Sequence, residues 1–184
     1  MPSHDPADIE EILVDQSELA RRIAELGATI TADYEGRDLH LVTILKGSLP
    51  FLADLMRAID LPVTVDMMGI ASYNGTQSSG ETRVTKDLDH PIAGRHVLVV
   101  EDIIDTGITL GYVLRNLRQR SPASVRVVTL LDKPDRRGSS VEAEYVGFTV
   151  PDRFVIGYGL DWNQRYRNLP YIAVLKSDVY DGPS

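Results

Sequence analysis

The sequence predicts an α/β fold: a mostly parallel central sheet flanked by helices. Apolar runs of strand length recur along the chain, and stretches with helical apolar spacing separate them, which is the pattern of a parallel sheet covered on both faces. The 184 residues are 43% hydrophobic and 25% charged, enough for one domain spanning residues 1–184 with its own core.

The elements follow in order. Asp15-Gln16-Ser17-Glu18 offers an N-cap and an early acid, and Leu19, Ile23, Leu26 and Ile30 follow at helical spacing, so a helix is expected over 17–34. Leu39 to Leu45 is a buried-strand run. Lys46-Gly47-Ser48 breaks it, and Leu49, Leu52, Leu55, Met56 and Ile59 predict a helix to about Asp60. Val63 to Ile70 is a strand. Ala71 to Arg83 is polar and rich in Gly and Ser, and reads as a mobile loop or an irregular hairpin tip. His96 to Val100 is a strand and Thr109 to Arg120 a helix whose last turns are basic, as the helix dipole favours. Ser124 to Leu131 is another strong strand. Tyr145 to Val150, Phe154 to Tyr158 and Tyr171 to Leu175 are shorter ones.

Composition excludes several chemistries. With no cysteine there are no disulfides, thiolate metal sites or Cys nucleophiles, and His4, His40, His90 and His96 have no metal-ligand spacing. The N-terminus lacks the basic-then-apolar pattern of a signal peptide, and no apolar run approaches the ~20 residues that span a bilayer. The expectation is a cytoplasmic protein without a membrane partner. The net charge is −8, but it is uneven: residues 1–36 hold nine acids and two bases, the other 148 residues 18 acids and 17 bases. That balance argues against nucleic acid, and the early acids read as a solvated helix face.

Val97 to Leu110, VLVVEDIIDTGITL, carries the chemistry. A buried strand runs into Glu101-Asp102, and adjacent carboxylates at the mouth of an apolar strand are costly unless solvated, paired or liganded. Asp105-Thr106-Gly107-Ile108-Thr109 then opens a helix. Backbone N–H groups, two hydroxyls and the helix dipole suit a phosphate there, and Gly107 permits close approach. Acids beside a phosphate cradle fit only if they hold sugar hydroxyls or Mg2+. Taken singly, Glu101 and Asp102 read as surface acids and Asp105 as a helix cap. The patterns GxGxxG and GxxxxGK[ST] are absent.

Val97 to Thr109 resembles the 5-phosphoribosyl-1-pyrophosphate motif of the type I phosphoribosyltransferases: four apolar residues, two acids, two apolar residues, then Asp-Thr-Gly-x-Thr. Leu45-Lys46-Gly47, Ser72-Tyr73, Leu131-Asp132-Lys133 and residues 150–172 are similar to the hypoxanthine-guanine members of that family, and the likeness spans about residues 10–176. Ile108 departs from it, since many relatives carry a polar residue there.

The resemblance implies a fold with a small hood built from the chain termini and a catalytic lid over 71–83. It implies transfer of the 5-phosphoribosyl group from 5-phosphoribosyl-1-pyrophosphate to N9 of a 6-oxopurine base. Glu101 and Asp102 would hold the ribose hydroxyls, directly or through Mg2+. Thr106, Gly107, Ile108 and Thr109 would cradle the 5-phosphate, and Asp105 would sit beside the purine N7 as general base or hydrogen-bond partner. Lys133 would donate to O6. An ammonium is donor-only, so it suits hypoxanthine and guanine and mismatches adenine. Phe154 would stack on the base and the Val155 backbone would read its edge. Asp161, in the purine pocket, would ligate a second Mg2+. Lys46, Gly47, Ser72, Tyr73 and Arg167 would contact pyrophosphate, with a cis peptide near Lys46. Arg153 and Arg165 read as solvated charges. A homodimer or homotetramer is implied. Two competing readings remain at this stage: an RNA-binding regulator of the same fold, and a transferase for adenine, xanthine or orotate.

Overall fold

The apolar runs form strands, and those at the centre of the sheet are buried on both faces. The computed structural model describes residues 6–72 and 82–180. Its strands are β1 (Ile9–Val14), β2 (Leu39–Leu45), β3 (Val63–Ser72), β4 (Thr82–Lys86), β5 (His96–Ile104), β6 (Ser124–Asp132), β7 (Tyr145–Thr149), β8 (Val155–Ile156) and β9 (Ile172–Leu175). The helices are α1 (Gln16–Asp33), α2 (Leu49–Ala58), α3 (Ile108–Arg118) and the single turn α4 (Ser177–Tyr180), with a 3-10 turn at Pro134–Arg136.

The main sheet has six strands in the order β4-β3-β2-β5-β6-β7. All its pairs are parallel except the β3–β4 hairpin at one edge. Side chains alternate across it. Leu39, Leu41, Leu98 and Val100 face α1 and α2, whose Leu19, Ile23, Leu26, Ile30, Leu52 and Leu55 complete one core. Val42, Ile44, Val97 and Val99 face the other way and pack with Leu110, Val113, Leu114 and Leu117 of α3. No helix among the described residues is long and apolar enough to cross a membrane.

A second sheet, β1-β9-β8, is antiparallel and joins the start of the described chain to its end, with its own small core of Ile156, Tyr166, Leu169, Ala173 and Leu175. This is the hood. Glu18, Glu25 and Asp33 lie on the exposed face of α1, as expected, while the acids ahead of that helix help build the hood. Asp8 accepts from the Tyr166 hydroxyl (2.5 Å), and Glu10 and Glu11 both pair with Arg153 (2.5 Å for Glu10). Arg153 is therefore a bridge rather than a solvated charge. Asp15 caps α1 by accepting from the Ser17 and Glu18 backbone N–H groups (2.7 and 2.9 Å), and Glu18 accepts from the Asp15 N–H in return.

β1 and α4 lie where the sequence predicts no element, and the structure departs from expectation elsewhere too. The strand predicted to stop at Val100 continues through Glu101 and Asp102 to Ile104, because β6 keeps pairing with it as far as Ile104↔Asp132. The 71–83 stretch is narrower than predicted: β3 reaches Ser72 and β4 begins at Thr82, a hairpin whose connection, including Tyr73, lies outside the described residues. The strand predicted over Phe154 to Tyr158 shrinks to Val155–Ile156, since Gly157, Tyr158 and Gly159 all take positive φ and turn the chain.

Candidate active site

The carboxyl ends of β2, β5 and β6 open toward the hood, and a cavity of about 690 Å3 lies there. Ligands of open α/β sheets bind at this edge. Each strand end contributes a loop. After β2 come Lys46 and Gly47, joined through a cis Leu45–Lys46 peptide bond. The end of β5 supplies Asp102, Ile103 and Asp105, and the turn after β6 supplies Lys133 and Arg136. The hood adds Asp152 to Val155, Leu160, Asp161, Arg167 and Tyr180. A smaller hollow of about 230 Å3, lined by Glu101 to Gly107, Thr109 and Leu110, shares Asp102, Ile103 and Asp105 with the main cavity.

The small hollow contains the loop predicted to hold a phosphate. Gly107 is the N-cap of α3 with φ +76°, a left-handed conformation that an L side chain adopts only under strain. No side chain caps α3, so Asp105 is not its cap, and the first N–H groups of the helix keep donor capacity. The Thr106 hydroxyl accepts only a long bond from the Ile108 N–H (3.4 Å). The Ile108 side chain lines neither cavity and is 60% exposed, so this position can contribute backbone alone.

Close backbone approach shapes the mouth. A Cβ on Gly47 would overlap the Asp102 carboxyl, and one on Gly159 would overlap the Gly47 carbonyl. Only glycine at both positions lets the post-β2 loop lie against β5 and the hood. Arg167 fastens this corner, donating to the Gly159 carbonyl (2.7 Å) and pairing with Asp161 (2.7 Å), which also accepts from the Gln164 N–H (2.8 Å).

Electrostatics follow from burial. Glu101 is buried, and burial together with the adjacent Asp102 charge pushes its carboxyl well above the usual range, against the Ser48 hydroxyl that donates to it (3.3 Å). Burial also raises Asp102, although its Oδ1 accepts from the Ile103 N–H (2.8 Å). Two adjacent desolvated carboxyls hold their negative charge only when a cation or donor meets them. Lys133 is only 5% exposed, so burial lowers its ammonium, and it donates to the Arg153 carbonyl (2.6 Å). Asp152 lies 3.8 Å away. One of the three ammonium donors is thus committed, leaving capacity toward the cavity.

Of the residues the sequence singled out, Lys46, Gly47, Asp102, Asp105, Lys133, Phe154, Val155, Asp161 and Arg167 converge on the main cavity. Glu101, Thr106, Gly107 and Thr109 line the hollow beside it. Ser72 ends β3 and Tyr73 lies outside the described residues. Sequence reading missed Ile103, Arg136, Asp152, Gly159 and Tyr180. Arg136 stands out: its Nε lies 2.9 Å from Asp105 Oδ1 and its Nη1 3.3 Å from Asp152. The Arg136–Asp105 pair is close but poorly aligned as a hydrogen bond, so Asp105 Oδ1 remains available to another donor. Pro134 directly after Lys133 was the available signal, since it starts the tight turn that returns Arg136 to β5.

The family model for the phosphoribosyl transferase domain matches residues 10–163, and the chain belongs to that family. It is 49% identical over 175 residues to the hypoxanthine-guanine phosphoribosyltransferase of Bacillus subtilis, covering 95% of this chain and 97% of that protein. It is 51% identical over 174 residues to the bifunctional protein TilS/HprT of Listeria innocua, but spans only 27% of that protein's length. A crystal structure of a hypoxanthine phosphoribosyltransferase from Staphylococcus aureus superposes with a TM-score of 0.93 at 46% identity, covering 98% of both chains.

Proposed function

We propose that the chain transfers the 5-phosphoribosyl group from 5-phosphoribosyl-1-pyrophosphate to N9 of hypoxanthine or guanine. The bond from the sugar C1 to the pyrophosphate oxygen breaks, the bond to N9 forms, and pyrophosphate leaves. The products are IMP or GMP, as in purine salvage. The observation that carries the reading is the meeting of buried Lys133 and Asp105 in one cavity, with the empty-capped start of α3 alongside. A donor-only ammonium selects a 6-oxo acceptor over a 6-amino group, because a buried unpaired donor is heavily penalised. The names of the relatives point to the same substrates.

Each residue then has a task. Thr106, Gly107, Thr109 and the Ile108 N–H hold the 5-phosphate. Asp105 takes the imidazole proton of the base or a hydrogen bond from its N7, with the Arg136 guanidinium 2.9 Å from that carboxylate. Lys133 meets O6, the Val155 backbone meets the far edge, and Phe154 and Ile103 bound the base faces. Lys46, Gly47 and Arg167 meet pyrophosphate.

Mg2+ fits the donor set. Glu101 and Asp102 are desolvated acids that a cation would keep ionised, and Asp161 lines the same cavity. No group of three or more His, Asp or Glu among the described residues could hold an ion alone. That suits Mg2+, which is commonly held by one or two carboxylates plus substrate phosphates. The ion would neutralise pyrophosphate as it leaves. The charged donor and the nucleotide products cannot cross a bilayer unaided, which supports a cytoplasmic location. The homodimer or homotetramer stays a proposal for light scattering.

The test is initial-rate assay with the pyrophosphate donor, Mg2+ and each base in turn. Turnover of hypoxanthine and guanine is expected. A preference for adenine, or no turnover with either 6-oxopurine, overturns the reading.

A further inference from the structure

Phe154 does not face the cavity alone. Tyr180 stacks on it, with ring centroids 4.9 Å apart and planes inclined by 24°. Trp162 meets both rings edge-on, at 5.4 Å and 86° to Phe154 and 6.4 Å and 71° to Tyr180. These are favourable stacked and T-shaped arrangements, each adding to plain area burial. The three rings come from three separate stretches: the turn before β8, the loop after it, and α4.

Their meeting is fixed by the hood's backbone. The Leu175 N–H donates to the Phe154 carbonyl (2.9 Å), the Lys176 N–H to the Asp8 carbonyl (3.0 Å), and the Val179 N–H to the Lys176 carbonyl (3.1 Å). The segment that carries Tyr180 is therefore registered on Phe154 itself and tied to the chain start. Tyr180 is half-buried and borders the main cavity beside Lys133, Arg153 and Phe154. A base that stacks on Phe154 needs one face of the ring free and the ring held still. A half-buried phenylalanine with nothing behind it would do neither well.

We propose that Tyr180 is a positioning residue for the base: it covers one face of Phe154, leaves the other for the purine, and with Trp162 fixes the plane of the ring. The inference rests on the reading of this cavity as a base site. It makes the C-terminal segment a contributor to base affinity without contact to the donor.

The test uses the full chain. Tyr180→Ala should raise the KM for hypoxanthine and guanine about 2- to 10-fold, the range that loss of one aromatic pair allows. The KM for the pyrophosphate donor and kcat should stay within about twofold of wild type on the same basis. Tyr180→Phe should restore wild-type KM, since the ring and not the hydroxyl acts. Tyr180→Leu, which keeps bulk without a stacking face, should fall between and serves if the alanine variant does not fold. Four results would overturn the proposal: an unmoved KM for the base, an equal rise in the KM of donor and base, no rescue by phenylalanine, or a lower KM. The last would mean that Tyr180 competes with the base for the same face. A wild-type chain inactive on both bases would instead sink the base-site reading, so the two failures are distinguishable.

Discussion

Replacing Lys133 by methionine removes the ammonium and keeps most of the side-chain bulk. The site is 5% exposed, so water cannot fully replace what is lost. A hydrogen bond to a charged group contributes about 1.5–3 kcal/mol, and each 1.4 kcal/mol is tenfold. The expected loss in kcat/KM for hypoxanthine is therefore about 10- to 150-fold. The KM for the pyrophosphate donor should hardly change, since Lys133 sits at the hood side of the cavity by the Arg153 carbonyl. Discrimination against adenine should shrink by a similar factor, because the misplaced donor has gone. The Arg153 carbonyl loses its partner, so thermal unfolding should show a stability cost of about 1–3 kcal/mol, separable from catalysis by assaying well below Tm. Steady-state kinetics with hypoxanthine, guanine and adenine at varied donor concentration is the assay. An equal rise in donor KM, or unchanged selectivity against adenine, would refute the assignment of Lys133 to the base.

Asp105→Asn should lower kcat about 100- to 10,000-fold while donor binding, measured by calorimetry, stays near wild type; unchanged turnover would remove Asp105 as base or N7 partner. Excess EDTA should abolish activity and added Mg2+ restore it, whereas full activity in EDTA would sink the metal-assisted reading. Gly47→Ala places a Cβ on the Asp102 carboxyl, so overpacking of about 1–3 kcal/mol at the pyrophosphate corner should cut kcat/KM by about 5- to 150-fold. Wild-type activity in that variant would show that the corner yields. Asp66 offers a pH test. Burial raises its carboxyl, but N–H bonds from Met67, Asp89 and His90 and the Lys86 charge outweigh this and hold it below the usual range. A lowered folded value contributes stability above the unfolded value near 3.8 and loses it as pH falls through the folded one. Asp66→Asn should therefore be less stable than wild type at neutral pH, with the gap closing only below about pH 4; a gap independent of pH down to 2 would contradict the argument.

The legible parts of the fold were those with a short-range signature. Leu39 to Leu45 and Val127 to Leu131 are buried on both faces, so they read as mostly apolar runs, and α1 declares itself by its capping box and apolar stripe. β1 and β4 carried no such signature. IEEILV and TRVTK form sheet edges, with Ile12 54% exposed, and it is pairing that makes them strands, β1 with the distant β9 and β4 with its hairpin partner β3. The Val97–Thr109 stretch was readable as a site because strand, acids, loop and helix start are consecutive. Arg136 beside Asp105, Gly159 against Gly47 and Tyr180 on Phe154 were not readable, since each pair is far apart in sequence.

By itself the sequence determined the alternation of buried strands and helices, the run of acids at the end of β5 and the glycine turn at Gly107 that opens α3. These depend on side-chain spacing and on local hydrogen bonds, which act within a few residues. The tertiary structure alone decided how charged those groups are and whom they meet. It desolvated Glu101, Asp102 and Lys133, engaged Asp8, Glu10 and Glu11 in the hood, and folded the last turn of the described chain against the Phe154 ring that lines the main cavity. Desolvation and register sum over residues far apart in sequence, so they exist only once the sheet has closed under the hood.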